Sequence, residues 1–191
     1  MSIDDGPWQE VGATFSPCCT YRYRLWRSWD ESKHRHVWVM LNPSTADEKV
    51  LDPTVRRCVR FSRSWGAGSI EVVNLFALRA TDPKELGRGG PRAVGPDNDQ
   101  AIVDTCRGAR MILCAWGSKG TLDGASTVFT RAEEVVSLLR GEHGDQEALH
   151  HLGMTIRDRQ PRHPLYVKSA AWPVLFSDTP DLSMEPDRMR R

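Results

Sequence analysis

A chain of 191 residues with 39% hydrophobic side chains has the size and apolar content of one ordinary domain with a real core. Its 26 basic and 25 acidic residues leave no global positive field, so non-specific, charge-driven binding along nucleic acid is excluded and any nucleic-acid contact must be local. No run of about 18 apolar residues suggests a membrane span, and Met1 to Pro17 lacks the basic start and apolar stretch of a signal peptide, so a cytoplasmic protein is expected. The five cysteines contain no C-x-x-C pair, which points to reduced, mostly buried thiols and to no metal or iron–sulfur cofactor.

Residues 1–19 read as an N-terminal extension, 20–177 as a single α/β domain and 178–191 as a flexible, polar C-terminal tail. Thr20 to Trp26 alternates side-chain character with a period of two, and His36 to Leu41 is an apolar run of strand length. Two strands joined by a polar turn around Asp30 to Lys33 are expected. Asn42 to Asp47 is rich in turn formers, after which Asp52-Pro53 reads as an N-cap followed by proline at the first helical position. The helix it starts should reach Trp65, with Val55, Cys58, Val59 and Ser62 inward.

Gly66 and Gly68 end that helix, and Ile70 to Phe76 supplies the next strand. Strand, helix, strand implies a right-handed parallel crossover. Farther on, Asp97 to Arg107 and Ser126 to Arg140 read as helices, Arg110 to Ala115 as a strand, and Leu149 to Met154 as a short β run. This alternation predicts a three-layer α/β/α sandwich with a mainly parallel central sheet.

Ligands of such sheets bind outside the carboxyl ends of the strands, which selects the segments after Leu41, after Val73, after Ala115 and around Gln160 to Tyr166. Asn42 leaves a strand just before a proline, which holds its backbone extended and presents its amide forward. It could orient a water, or it and Ser44 could simply bond their own turn. His163 stands between Pro161 and Pro164 in a stiff stretch, where an imidazole can donate to charge building on a leaving group or can be a packing residue. His150-His151 lacks the spacing of a helical zinc pair, and no metal site is expected. Trp65 and Trp116 lie beside glycines at element ends, where a ring could stack a base or serve the core. Residues 117–120 lack the spacing of a phosphate loop, and neither Gly-x-Ser-x-Gly nor G-x-G-x-x-G occurs.

Taken in order, Leu41-Asn-Pro-Ser-Thr-Ala-Asp47, Asp52-Pro-Thr-Val-Arg-Arg57, Val73-Asn-Leu-Phe-Ala77, Val94-Gly-Pro-Asp-Asn-Asp99, Ala115-Trp-Gly117 and Pro161-Arg-His-Pro-Leu-Tyr166 resemble a widespread bacterial and phage family of unknown function. That pattern in turn resembles the uracil-DNA glycosylase superfamily, above all its mismatch-specific branch. In that branch one strand ends in Gly-Ile-Asn-Pro-Gly and a later one leads to Asn-Pro-Ser or His-Pro-Ser. Here Met40 to Ser44 and His163 to Leu165 take those places, without the flanking glycines and with Leu for the final Ser.

The resemblance implies a uracil-DNA glycosylase-like fold and an N-glycosidase acting on a base, modified or not, in DNA, in repair or modification. Asn42 would orient the attacking water and His163 would stabilise the departing base. Asn74 would read the base edge, and Leu165 or Tyr166 would form a wedge that helps expel a nucleotide. Ser44, Asp47, Phe61 and Trp116 complete the expected substrate contacts, and Arg56, Arg57, Arg79 and Lys119 are the candidate phosphate ligands. The expected partner is DNA or a nucleotide held by a monomer, with no membrane contact. The alternatives are a non-catalytic nucleic-acid or nucleotide binding module and an enzyme acting on a small nucleotide.

Overall fold

The computed structural model describes residues 6–44, 52–80, 86, 90–117, 125–143, 149–156 and 159–176. Its strands are β1 (Glu10–Phe15), β2 (Arg22–Ser28), β3 (Arg35–Met40), β4 (Ser69–Asn74), β5 (Met111–Cys114), β6 (Leu149–His151) and β7 (Val174–Leu175). Three α-helices lie among the described residues: α1 (Pro53–Ser64), α2 (Asn98–Cys106) and α3 (Ala125–His143). The strands form one mixed sheet in the order β1-β2-β4-β3-β5-β6-β7.

Parallel pairing is confined to the centre, where β3 lies between β4 and β5, and β6 follows β5. On the two flanks β1, β2 and β7 pair antiparallel, so the sheet is mixed rather than mainly parallel. The predicted crossover through α1 is present, since β3 and β4 run parallel in register from Arg35 opposite Ser69 to Met40 opposite Asn74. β2 and β3, although consecutive, are not neighbours, because β4 is inserted between them. Their connection passes over the start of β4, where Trp29 and Asp30 both donate backbone N–H groups to the Gly68 carbonyl. Only glycine fits there, since a Cβ would stand 1.8 Å from the Asp30 carbonyl oxygen.

The chain before Thr20 is more than an extension. Glu10 to Phe15 runs along β2 with a register shift that puts Thr14 opposite Arg24 and Phe15 opposite Arg22. Val174 and Leu175 likewise add a two-residue edge strand in a segment that polarity alone marks as irregular. The expected tail, 178–191, lies outside the described residues.

Alternation along the central strands divides the core in two. Val37, Val39, Val73, Leu75, Ile112 and Cys114 pack with Ile102 and Cys106 of α2 and with Val135 and Leu139 of α3. Trp38, Met40, Ile70, Val72, Leu113 and Ala115 pack with Val55, Cys58, Val59 and Phe61 of α1. Each such fully buried aliphatic or aromatic side chain contributes about 1.5–3 kcal/mol. α1 begins as predicted, with the Asp52 carboxylate accepting from the Val55 N–H at 2.8 Å and Pro53 in the first turn. Cys58, Cys106 and Cys114 are buried thiols, whereas Cys18 and Cys19 are exposed. Among the described residues no helix is long and apolar enough to cross a membrane.

Candidate functional site

The central parallel strands run in the order β4-β3-β5-β6, so the chain leaves β3 toward one side and returns to place β5 on the other. The crevice between the carboxyl ends of β3 and β5 is therefore the topological switch point at which such sheets bind ligands. Asn42 to Ser44 lies on one of its banks. Ala115 to Gly117 lies on the other.

Asn42 is half-buried, and its amide is held by the backbone. Nδ2 donates to the carbonyls of Ala80, at 2.9 Å, and Pro43, at 3.1 Å. These bonds tie the loop after β3 to the chain after β4, as does the Ala80 N–H to the Pro43 carbonyl. With both amide hydrogens engaged, Oδ1 is the group left to receive a hydrogen bond. Ser44 donates to Asp52 at 3.3 Å, which joins the same loop to the start of α1.

His163 reaches the opposite bank through Gly117. The Gly117 N–H donates to the Pro161 carbonyl at 2.8 Å, and a Cβ on Gly117 would stand 3.0 Å from the Cβ of His163. Gly117 also has φ of +72°, so two constraints require glycine where the imidazole packs. His163 is extended ahead of Pro164, and its Nδ1 accepts from the Leu165 N–H. In the neutral ring an Nδ1 that accepts leaves the proton on Nε2. The following turn, Pro164–Tyr166, exposes Leu165 by 45% and Tyr166 by 60%. These apolar and aromatic side chains stand at the rim.

Asn74 ends β4 on the α1 side, since it alternates with Ile70 and Val72 and pairs with Met40. It is 1% exposed, and its Nδ2 has no hydrogen-bond partner. Its backbone is fastened from the other side of the sheet. Asn98 donates to the Asn74 and Leu75 carbonyls at 3.0 and 3.1 Å, and Arg131 Nε adds a third donor to Leu75 at 2.9 Å. Asn98 begins α2, and Arg131 is itself paired with Asp99 and Glu134.

Sequence reasoning passed over Arg22, the first residue of β2, as one member of an alternating strand. It is 4% exposed and its Nε has no hydrogen-bond partner. Because β2 is antiparallel to β4, Arg22 enters at the carboxyl edge, where its N–H donates to the Ala77 carbonyl. Burial pulls its guanidinium down to about 10, with Asp52 opposing that shift and Arg79 and Arg27 adding to it. The only sequence cue was an arginine inside a strand that the register shift turns inward.

Several other expected ligands serve the fold instead. Trp116 is 2% exposed in the core shared with α2 and α3, and its indole N–H donates to Gln160 at 2.7 Å. Its ring is thus on the far side of the sheet from α1. Phe61 is buried between Trp65, Trp38 and the Arg57 guanidinium. Arg57 clamps the segment after His163 by donating to the Val167 carbonyl at 2.7 Å and the Ser169 hydroxyl at 3.0 Å. Arg79 donates to the Cys19 carbonyl at 3.2 Å and lies over Phe15. Arg56 is half-buried on α1, where its backbone N–H donates to the Asp52 carbonyl. Asp47 and Lys119 lie outside the described residues.

Fold and strand order together define a class: a mixed α/β protein whose parallel strands form a topological switch point at their carboxyl ends. Within it, the family described as protein of unknown function (DUF1643) matches residues 22–165, and the chain belongs to that family. Comparison with curated proteins and with solved structures finds no match.

Proposed function

We propose that the protein is an N-glycosidase-type hydrolase that separates a base from its sugar in DNA or in a nucleotide, on a three-layer α/β/α frame of the uracil-DNA glycosylase kind. The strand order β4-β3-β5-β6, with one core cluster toward α1 and another toward α2 and α3, supports the frame. The observation that carries the activity is the pair of fixed hydrogen-bonding states flanking the switch point. Asn42 has both amide hydrogens engaged and offers Oδ1 as an acceptor, and His163 accepts at Nδ1 from Leu165, which in the neutral ring leaves the proton on Nε2.

In that reaction the C1′–N bond breaks with its electron pair leaving on the base, and the sugar becomes an oxocarbenium ion. The water oriented by Asn42 adds to C1′, and the proton it loses ends on the departed base, so one water is consumed and both products are neutral. His163 Nε2–H donates to the base as its negative charge develops, an interaction worth most in the transition state.

A second reading, a small nucleotide as ligand in place of a DNA duplex, has its own support. Arg57 and Arg79 spend hydrogen bonds on the protein's own backbone, and the Trp116 and Phe61 rings are enclosed. Mass spectrometry of free-base release from nucleosides, nucleotides and oligonucleotides, with Asn42→Ala as control, tests both. Release that depends on Asn42 is the expected result. Nucleotide binding without release from any substrate would leave a non-catalytic binding module.

A further inference from the structure

Arg22 combines three properties that are costly together in a folded protein. Arg22 is 4% exposed, yet its Nε–H has no acceptor. Among the described residues no carboxylate lies within ion-pair distance of it, Asp52 acting only at longer range and Arg79 and Arg27 opposing it. A buried guanidinium stays charged, so such a group needs a counter-ion to repay its desolvation. Arg24 shows the contrast one turn of the strand away, where Glu71 binds it at 2.7 Å and Arg35 at 2.8 Å.

The second orphan donor lies at the same edge. Asn74 Nδ2 is buried without a partner at the end of β4, the strand beside β2, on the side that faces α1. Asp52, the charge that acts on Arg22, caps the same helix. Two buried donors without partners, one of them a guanidinium, thus stand on neighbouring strands, β2 and β4, at the same edge of the sheet. Buried polar groups are nearly always satisfied in native proteins, and an exception calls for an explanation, of which a bound ion is one.

We infer that Arg22 and Asn74 form a recognition pair for an anionic, oxygen-bearing group, and that this group is a phosphate carried by a nucleotide ligand. The inference rests on the location of the proposed site and not on its reaction. Arg22 supplies the charge and a planar fork that matches two phosphate oxygens, and Asn74 supplies a neutral donor beside it. Neither residue is a catalytic residue in this role; they select the ligand.

Calorimetric titration and thermal unfolding of the full chain test the pair, using nucleoside 5′-monophosphates, the matching nucleosides and inorganic phosphate. Monophosphates should bind at least roughly 30-fold more tightly than nucleosides, the loss expected when a buried charge partner is removed. Inorganic phosphate binding alone would support the same pocket and show that the anion suffices. Arg22→Met should abolish the preference for monophosphates while leaving the melting temperature of the free protein equal or higher, because no ion pair is lost. Arg22→Lys should retain part of the preference. Equal binding of nucleosides and monophosphates would overturn the inference, and so would an Arg22→Met variant that keeps the preference. A fall in the free protein's melting temperature in both variants would make the guanidinium a structural group and overturn it as well. Base release is scored separately. Phosphate-dependent binding without release removes only the glycosidase reading, and release with no preference for monophosphates removes only the anion pocket.

Discussion

At the scale of single residues, the division of labour around the switch point gives each side chain a separable test. On the proposed reading His163 Nε2 donates as a leaving group gains charge, so His163→Ala should lower single-turnover base release by about 100- to 1,000-fold while ligand affinity changes little. A destabilised but fully active variant would remove His163 from the reaction. Gly117→Ala probes the same imidazole indirectly, because the added methyl meets the His163 Cβ at 3.0 Å on a backbone at φ +72°. It should cost about 1 kcal/mol or more of stability through strain and should also lower base release, whereas Gly66→Ala, at φ +83° with open space around it, should cost stability alone. Equal activities of the two variants per folded molecule would sink the link between Gly117 and His163.

At the scale of elements, helix N-termini hold the strand ends in place. Asn98 at the start of α2 donates to the last carbonyl of β4 and to the next one, so Asn98→Ala removes a buried donor from both, while Leu75 keeps Arg131. A loss of about 1–3 kcal/mol is expected, read as a fall of roughly 2–4 °C in melting temperature per kcal/mol at this length. Asp52→Ala removes the α1 cap and the acceptor of Ser44, with an expected cost of about 0.5–2 kcal/mol. Thermal unfolding of the two variants decides both figures, and an Asn98→Ala protein as stable as wild type would mean that β4 needs no such anchor. The elements themselves were largely legible. Asp52-Pro53, the apolar spacing of Val55, Cys58 and Val59, and the β-branched run from Ile70 each act through local geometry that a reader of sequence can follow. Phe61 shows where that local reading stops. One turn of helix after Cys58, it is inward in the structure, stacked on Trp65 5.1 Å away, and aromatic character alone does not distinguish a core ring from a ligand platform.

At the scale of the molecule, acid sensitivity has an identifiable seat. His36 in β3 is fully buried with neither ring nitrogen hydrogen-bonded, and burial, reinforced by His34 and His150, pulls it down to about 4 from 6.5. The unfolded chain therefore binds a proton between these values that the native protein refuses. The contribution to stability is fully present above pH 6.5 and is lost as pH falls toward 4, amounting to about 3 kcal/mol. His36→Leu should flatten the stability profile in that window, as measured by denaturant unfolding from pH 7 to 4, with the residual slope belonging to His151, which burial also lowers. An unchanged profile would rule out His36 as the sensitive group.

The sequence by itself determined the α/β alternation, the parallel crossover through α1, the strand ends at which Asn42 and Asn74 stand, the proline-flanked stretch that holds His163, and the family motifs that join them. All of these follow from periodicity, caps and turn residues, which act over a few positions along the chain. Only the tertiary structure decided that β4 enters between β2 and β3, that Glu10 to Phe15 and Val174 to Leu175 close the sheet's flanks, and that Trp116 and Phe61 turn into the core. It also decided that Arg57 and Arg79 hold backbone carbonyls while Arg22 is buried without an ion pair among the described residues. The reason is physical: an arginine's identity fixes its charge, but whether that charge meets solvent, a carbonyl or an enclosed crevice depends on strands distant in sequence.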